Sequence, residues 1–325
     1  MFILNLIILV AGFFALIKGA DIFVDGSAAL ARNFKVPALI IGLTIVALGT
    51  SAPELAVSTS AALQGSNEIA LSNVVGSNIF NLLCVLGVCA LIYPVPVDVR
   101  ILKRDFPITI VSTVFVLFAT GGAMLFRNNI FQFGMEEIAG MVSRMVGAAL
   151  IIAFVGYIGY LIYDAKRNPN EEEAGEHVPT WKCTLLIVLG LALIVGGGQA
   201  VVYSAKEIAR AAGMTETLIG LTIVAVGTSL PELVTSVVAS RKGQTELAVG
   251  NVVGSNIFNF LFILGISAVI HPVAVNVASV YDMMILIFVS IVTLVFSVSS
   301  KKIGRMEGGI MVAVYVADVI FAVLR

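Results

Sequence analysis

Charged side chains are scarce in this sequence. They make up 12% of its 325 residues, about half the share that is usual in soluble domains. Apolar residues reach 59%, and the mean hydropathy is +1.06. This composition excludes an ordinary soluble domain. It predicts an integral membrane protein whose main partner is the lipid bilayer.

Metal-binding and nucleotide-binding motifs are also missing. The three cysteines, Cys84, Cys89 and Cys183, lack metal-ligand spacing and fall in apolar stretches, so we interpret them as small core residues. The two histidines, His177 and His271, fall in loops, and no Walker-type phosphate loop is present. We therefore expect no cofactor and no nucleic-acid partner, and any transport must be secondary.

Apolar runs follow one another along the whole chain. Because a spanning helix needs roughly 20 apolar residues, we predict an all-α integral membrane protein with about ten transmembrane helices. Their predicted ranges are 1–31, 37–63, 68–92, 105–126, 137–163, 183–211, 215–240, 246–270, 279–299 and 306–324. The first has no cleavage pattern behind its apolar stretch, so we expect it to be retained.

The basic residues are distributed unevenly between the loops. If the N-terminus is outside, the inside loops contain Arg32, Lys35, Arg100, Lys103, Arg104, Lys166, Arg167, Lys182, Arg241, Lys242, Lys301, Lys302 and Arg305. The outside loops contain chiefly Arg127, Lys206, Arg210 and Arg325. This asymmetry predicts that both termini are outside and, in a bacterial-type inner (plasma) membrane, that five loops are cytoplasmic.

The chain contains an internal repeat. Residues 42–94 align with 220–272 without a gap, and GLTIVALGTSAPEL in the first half corresponds to GLTIVAVGTSLPEL in the second. Both halves also contain NVVGSNIFN. Such self-similarity predicts two structural units of common ancestry, each with about five helices.

An odd number of spans per unit places the second unit upside down in the membrane relative to the first. We therefore predict an inverted repeat of two five-helix units, 1–163 and 183–325, joined by a cytoplasmic linker at 164–182. The acidic run in the linker is either a solvated loop or a regulatory ion site. Because two units enclose one site, no further protein is obligatory and a monomer suffices.

Each unit contains one glutamate in the middle of an apolar span, Glu54 and Glu232. A carboxylate at that depth costs several kcal/mol unless it faces protein, water or an ion. The two glutamates are therefore candidates for a functional site. The alternative is a pair of protonated glutamates that pack helices together.

A proline precedes each glutamate. Pro53 has no N–H and disfavours helical geometry at the residue before it, so the helix should break near Gly49 and free backbone carbonyls around Ala47 and Thr50. Irregular backbone at membrane depth is tolerated where it lines a cavity or is buried in protein. The same reasoning applies to Pro231 and the residues before it.

The segment GSNIFN supplies further polar side chains. Ser77 and Asn81 are four residues apart and share a helix face, as do Ser255 and Asn259. Serine and asparagine in a membrane helix either pack and hydrogen-bond to neighbouring helices or bind an ion. Both interpretations remain open for this segment, including Asn78 and Asn256.

The available ligands are oxygen atoms. Calcium takes six to eight hard oxygens, and the two carboxylates with hydroxyl and amide groups are able to supply them. None of these candidate ligands offers sulfur or imidazole, which would favour zinc or copper. Two ionised glutamates are neutralised by one calcium ion, two sodium ions or two protons. This competition is a sufficient basis for exchange.

The segments GTSAPE and GTSLPE, each followed by NVVGSNIFN, closely resemble the alpha repeats of the cation/calcium antiporter superfamily, in particular sodium/calcium exchanger proteins. The resemblance covers the ten-helix plan and implies an antiporter that exchanges calcium for sodium by alternating access. It also implies that the long first and sixth helices slide across a core that binds the ions. The ligands that it implies here are Ala47, Thr50, Ser51, Glu54, Ser77, Asn81, Ala225, Thr228, Ser229, Glu232, Ser255 and Asn259.

One position departs from better-known members of that superfamily. Several exchangers have aspartate where this chain has Asn259. The site therefore has one negative charge fewer. The resemblance then implies that coupling to potassium is disfavoured in this chain.

Three other functions are compatible with parts of the pattern. A calcium/proton antiporter would use the same two glutamates. A cation channel would line a continuous pore with them, although helices broken at the midplane favour alternating access. An enzyme would use them as an acid/base pair, but no nucleophile, redox motif or metal triad accompanies them. We therefore expect a transporter and not an enzyme.

Overall fold

The computed structural model describes residues 2–65, 68–120, 134–168, 178–214, 223 and 225–324. Within these ranges the chain is helical apart from short connections and strands. The helices are α1 (Phe2–Phe34), α2 (Ala38–Thr50), α3 (Ala52–Leu63), α4 (68–92), α5 (101–120), α6 (Arg144–Arg167), α7 (Thr180–Ala211), α8 (Ala225–Thr228), α9 (Leu230–Arg241), α10 (Thr245–Ile270), α11 (Val277–Ser300) and α12 (Arg305–Leu324).

Six of the described helices are long and apolar enough to cross a membrane: α1, α4, α6, α7, α10 and α11. The bent pair of α2 and α3 brings the number to seven. Each of these helices contains an apolar stretch of 18 residues. In this stretch 72% of the residues are buried in α4 and 78% in α10, compared with 17% in α1 and 28% in α7. Consequently α4 and α10 form the centre of the molecule, whereas α1 and α7 expose apolar faces suited to lipid.

Glycine allows α1 and α7 to pack closely along their length. A Cβ atom at Gly19 would lie 2.8 Å from the carbonyl oxygen of Gly190, and one at Gly197 would lie 2.6 Å from the backbone N of Leu16. Leu16 precedes Gly19 in α1, whereas its contact Gly197 follows Gly190 in α7, so the two helices are antiparallel. Small residues give membrane helices the backbone contact that the hydrophobic effect does not provide there.

Several helices contain π-helical segments, which the sequence did not predict. They cover Gly42–Val46, Asn81–Val85, Ile101–Asp105 and Phe258–Ile263. Two of them occur at matching places in α4 and α10, where they include Asn81 and Asn259. A π-helical segment inserts an extra residue in the turn, and such segments are frequent at functional sites.

Among the residues that the structure describes, two small antiparallel sheets lie at the ends of the helices. In one, β1 (Val95–Pro96) pairs with β4 (Lys302–Ile303), and in the other, β2 (Ile138–Val142) pairs with β3 (Val273–Asn276). The all-α prediction therefore describes the helical body but misses these strands. The predicted start of a helix at 137 is wrong for the same reason, because residues 138–142 pair with β3.

The helix that follows β2 begins at Arg144. The Ser143 side chain caps it by accepting a hydrogen bond from the Val146 N–H at 3.3 Å. The other predicted boundaries agree with the structure within a few residues wherever the structure describes them. Residues 121–126, 215–222 and 224 of the predicted spans, and 169–177 of the predicted linker, lie outside the described ranges.

The glycine contact between α1 and α7 predicts the effect of a single methyl group. Gly197→Ala should destabilise the protein by about 1–3 kcal/mol, because the new Cβ would overlap the α1 backbone. Gly196→Ala is the matched control, since no described atom lies within 4 Å of a Cβ there. Thermal unfolding in detergent would measure both, and equal unfolding midpoints would contradict the proposed packing.

Candidate functional site

The broken helix that the sequence predicts is present in both halves. Helices α2 and α3 meet at a bend of 50°, and Ser51 leaves helical geometry with φ −82° and ψ 10°. In the second half Ser229 has φ −95° and ψ 8°. Each proline is the second residue of the helix that follows, where its missing N–H would have no helical partner in any case.

The break differs from the prediction in one respect. The chain leaves helical geometry at Ser51, so the Ser51 N–H still donates to the Ala47 carbonyl at 3.0 Å. The Ala47 carbonyl is therefore not freed by unwinding, although a carbonyl oxygen has a second lone pair. In the second half, Ala225 and Thr228 are the first and last residues of the short helix α8. The side chain of Ala225 lies outside the described part of the structure.

The two glutamates are completely buried, each in the first turn of its helix. Each is bound by a serine from the opposite half. The Ser229 hydroxyl donates to Glu54 Oε1 at 2.8 Å, and the Ser51 hydroxyl donates to Glu232 Oε1 at 2.8 Å. The Ser229 hydroxyl also lies 3.1 Å from Ser77 Oγ. These contacts bring five of the sequence-predicted residues together across the two halves.

Four asparagines form a second network between α4 and α10. Asn78 Nδ2 donates to the Asn256 carbonyl at 3.1 Å, and Asn256 Nδ2 donates to the Asn78 carbonyl at 3.4 Å. The amide oxygens of the same two residues accept hydrogen bonds from Asn81 Nδ2 and Asn259 Nδ2, each at 3.1 Å. Asn78 and Asn256 therefore join the helices, and they orient the amides of Asn81 and Asn259.

Five buried oxygen atoms of the ligands predicted from the sequence have no hydrogen-bond partner among the described residues. They are Glu54 Oε2, Glu232 Oε2, Asn81 Oδ1, Asn259 Oδ1 and Ser255 Oγ. An unsatisfied buried polar group costs about 1–3 kcal/mol, and more when it is charged. Unpaired acceptors of this kind suit hard cations such as calcium and sodium. No group of three or more His, Cys, Asp or Glu side chains that could hold a metal ion was found in the described part of the chain.

Two more asparagines support the glutamates, and the sequence reasoning missed them. Asn251 Nδ2 donates to Ser236 Oγ at 2.9 Å and to the Glu232 carbonyl at 3.4 Å. Its Oδ1 accepts from the Thr50 hydroxyl at 2.9 Å. Asn73 makes the corresponding contacts to Ser58 Oγ and the Glu54 carbonyl. The sequence does mark both residues, because each asparagine is the first residue of the repeated NVVGSNIFN segment.

Charged side chains near the helix ends pair with one another. Lys242 Nζ lies 2.6 Å from both Asp21 Oδ1 and Asp25 Oδ1, which ties α1 to the turn between α9 and α10. Arg104 forms an ion pair with the buried Asp105 at 2.7 Å. These contacts give Asp21 and Asp25 a structural role.

Broken helices and buried carboxylates of this kind are characteristic of secondary transporters. The chain belongs to the sodium/calcium exchanger protein family, whose model matches residues 4–163 and 182–324. The resemblance seen in the sequence is therefore confirmed. The chain is an integral, multi-pass membrane protein of a family of cation/calcium antiporters.

Individual relatives agree with this assignment. The sodium/calcium exchanger MaX1 of Methanosarcina acetivorans is 35% identical over 345 residues, covering 98% of each chain. The inner membrane protein YrbG of Escherichia coli is 32% identical and covers 88% of this chain and 86% of its own. A solved structure of the sodium-calcium exchanger NCX_Mj superposes with a TM-score of 0.81 at 30% identity, with both chains fully covered.

The supporting role of Asn251 is testable by truncation. Asn251→Ala removes three hydrogen bonds at a fully buried position and leaves the Thr50 hydroxyl and Ser236 without this partner. We expect a loss of about 2–4 kcal/mol of stability. Gln64→Ala removes one exposed hydrogen bond and should stay within about 0.5 kcal/mol of the wild type. Thermal unfolding would compare them, and an Asn251→Ala protein as stable as Gln64→Ala would contradict this role.

Proposed function

We propose that this protein exchanges calcium for sodium by alternating access at one central site built around Glu54 and Glu232. The observation that carries the proposal is the pair of buried carboxylates, each with one oxygen bound by a serine and the other without a partner among the described residues. An ion that occupied the site would supply the missing partner. Family membership supports the same activity.

The proposed ligands share one property: each offers oxygen atoms near a helix break or on the buried faces of α4 and α10. They are Ala47, Thr50, Ser51, Glu54, Ser77 and Asn81 in the first half, with Ala225, Thr228, Ser229, Glu232, Ser255 and Asn259 in the second. Backbone carbonyls would contribute at the two alanines, and side-chain oxygens elsewhere. Carboxylate, carbonyl and hydroxyl oxygens are the ligands that calcium prefers.

Exchange would follow from competition for the two carboxylates. When both are ionised they carry two negative charges, which one calcium ion or two monovalent ions neutralise. Because the same oxygen atoms would serve both ions, binding of one would displace the other. Protons could replace sodium in this scheme, and a calcium/proton antiporter is therefore the alternative. The relatives named as sodium/calcium exchangers favour sodium.

The proposed architecture is an inverted repeat of about ten transmembrane helices. The units are 1–163 and 183–325, joined by a cytoplasmic linker at 164–182. The reciprocal contacts between the halves support this arrangement. Ser51 and Ser229 exchange the same kind of bond with the opposite glutamate, and Asn78 and Asn256 do so with each other. Such reciprocity is expected of two units related by a two-fold axis.

The protein would act as a monomer in the inner (plasma) membrane, with both termini outside. The site draws its ligands from both halves of one chain, so a second copy would add nothing to it. The protein would act as a transporter and not as an enzyme, in line with its membership of the sodium/calcium exchanger protein family. Calcium and sodium are the transported ions. The protein would need the lipid bilayer around it but no protein partner.

The test is uptake of radioactive calcium into proteoliposomes loaded with sodium, compared with potassium-loaded and acid-loaded vesicles. Sodium should drive uptake in the wild type. Glu54→Gln and Glu232→Gln should each reduce it at least tenfold, because one carboxylate leaves the charge of calcium unbalanced. The control is Glu246→Gln, which changes an exposed glutamate at the start of α10.

Each outcome separates the candidate functions. Uptake driven only by the proton gradient would assign a calcium/proton antiporter. Uptake that persists in both glutamine variants would place the ion site elsewhere. Uptake down a calcium gradient that needs no counter-ion, at rates far above those of a carrier, would indicate a channel.

The proposed orientation predicts which residues face the outside. Leu63→Cys lies at the end of α3 and should react with a membrane-impermeant maleimide in intact cells. Lys166→Cys lies near the end of α6 and should react only after permeabilisation. Both native side chains are exposed, so access to the reagent decides the result. The unmodified chain gives the background from its own cysteines, and the opposite labelling pattern would reverse the topology.

A further inference from the structure

A cavity of about 470 Å³ lies between α1, the beginning of α7 and the turn between α9 and α10, away from the two glutamates. Its walls combine small or apolar residues with several charged ones. The lining consists of Asp25, Ala28, Ala29, Arg32, Val178, Lys182, Leu186, Lys242 and Gln244. Three of these side chains are cationic and one is anionic. The cavity is therefore electropositive.

The cations of the cavity differ in how they are paired. Lys242 is held by Asp21 and Asp25 at 2.6 Å. Arg32 and Lys182 form no ion pair or side-chain hydrogen bond with any described residue. Lys182 is also the third residue of α7, where the helix dipole disfavours a positive charge. The helix dipole does not stabilise this charge, whereas an anion bound beside it would.

The position of the cavity along the helices corresponds to the edge of the membrane. Helix α1 ends at Phe34 and α7 begins at Thr180, and Asn33 Nδ2 donates to the Val178 carbonyl at 2.5 Å across the two ends. Trp181 is 69% exposed beside this point. Tryptophan is enriched at the level of the lipid headgroups. The cavity therefore lies where phosphate groups of lipids are found.

We propose that this cavity is a binding site for a phosphate group, contacted chiefly by Arg32 and Lys182, with Gln244 as a further hydrogen-bond donor. Arginine and lysine are the usual partners of phosphate in proteins. Basic pockets between transmembrane helices bind the headgroups of anionic lipids. The phosphate belongs either to such a lipid or to a free phosphate ion. This site is separate from the proposed exchange site and does not depend on which ions are exchanged.

The test measures lipid binding directly. The purified full chain is titrated with phosphatidylglycerol in detergent and the bound lipid is counted by native mass spectrometry, with phosphatidylcholine as the neutral comparison. The variant Arg32→Gln/Lys182→Gln should bind phosphatidylglycerol about tenfold or more weakly. The control is Lys166→Gln/Arg167→Gln, which removes one lysine and one arginine from an exposed stretch at the end of α6.

The source of the phosphate is identified by a competition arm with inorganic phosphate. Displacement of phosphatidylglycerol only by another anionic lipid supports a lipid headgroup site, and displacement by millimolar inorganic phosphate supports a site for the free ion. Equal binding by the wild type and the Arg32→Gln/Lys182→Gln variant would overturn the proposal. The variant Arg32→Lys/Lys182→Arg keeps both charges and should retain binding, which separates loss of charge from misfolding.

Discussion

A carboxylate that water cannot reach must be surrounded by groups that replace water, and this chain holds two such carboxylates in its core. Glu54 and Glu232 are fully buried, and each has one oxygen satisfied by a hydroxyl from the other half of the chain. Much of the central structure serves this arrangement. The helix breaks at Ser51 and Ser229 present those hydroxyls, and Asn73 and Asn251 brace the backbone of the glutamates.

The same constraint explains why the two halves are interdigitated. If each half satisfied its own glutamate, separation of the halves would leave the hydrogen bonds of both carboxylates intact. Instead each glutamate accepts a hydrogen bond from a serine of the opposite half, and Asn78 and Asn256 pair reciprocally across the halves. A displacement of one half relative to the other would therefore change the surroundings of both carboxylates together. Alternating access requires that coupling between site and helix position.

The sequence predicted the helices and the break well because both depend on local composition. Apolar run length, the two prolines and the repeated segment are visible without tertiary information. The strand at residues 138–142 was not predictable in this way, because it depends on pairing with residues 273–276, which are distant in the sequence. The π-helical segments escaped for a similar reason. No periodicity in the sequence marks their hydrogen bonds. The role of Asn251 was also hidden, because it depends on a contact with Thr50, which is 201 residues away.

The charge of the proposed site determines how it would respond to the membrane potential. With two carboxylates and otherwise neutral ligands, a calcium-loaded site has no net charge, and a site loaded with n sodium ions has a charge of n − 2. A unit charge that crosses the membrane gains or loses about 2.3 kcal/mol per 100 mV. With two sodium ions the cycle would be insensitive to voltage, and with three only the sodium-loaded step would respond. Asn259 is decisive here, because an aspartate at that position would make the calcium-loaded site negative and move the voltage dependence to that step.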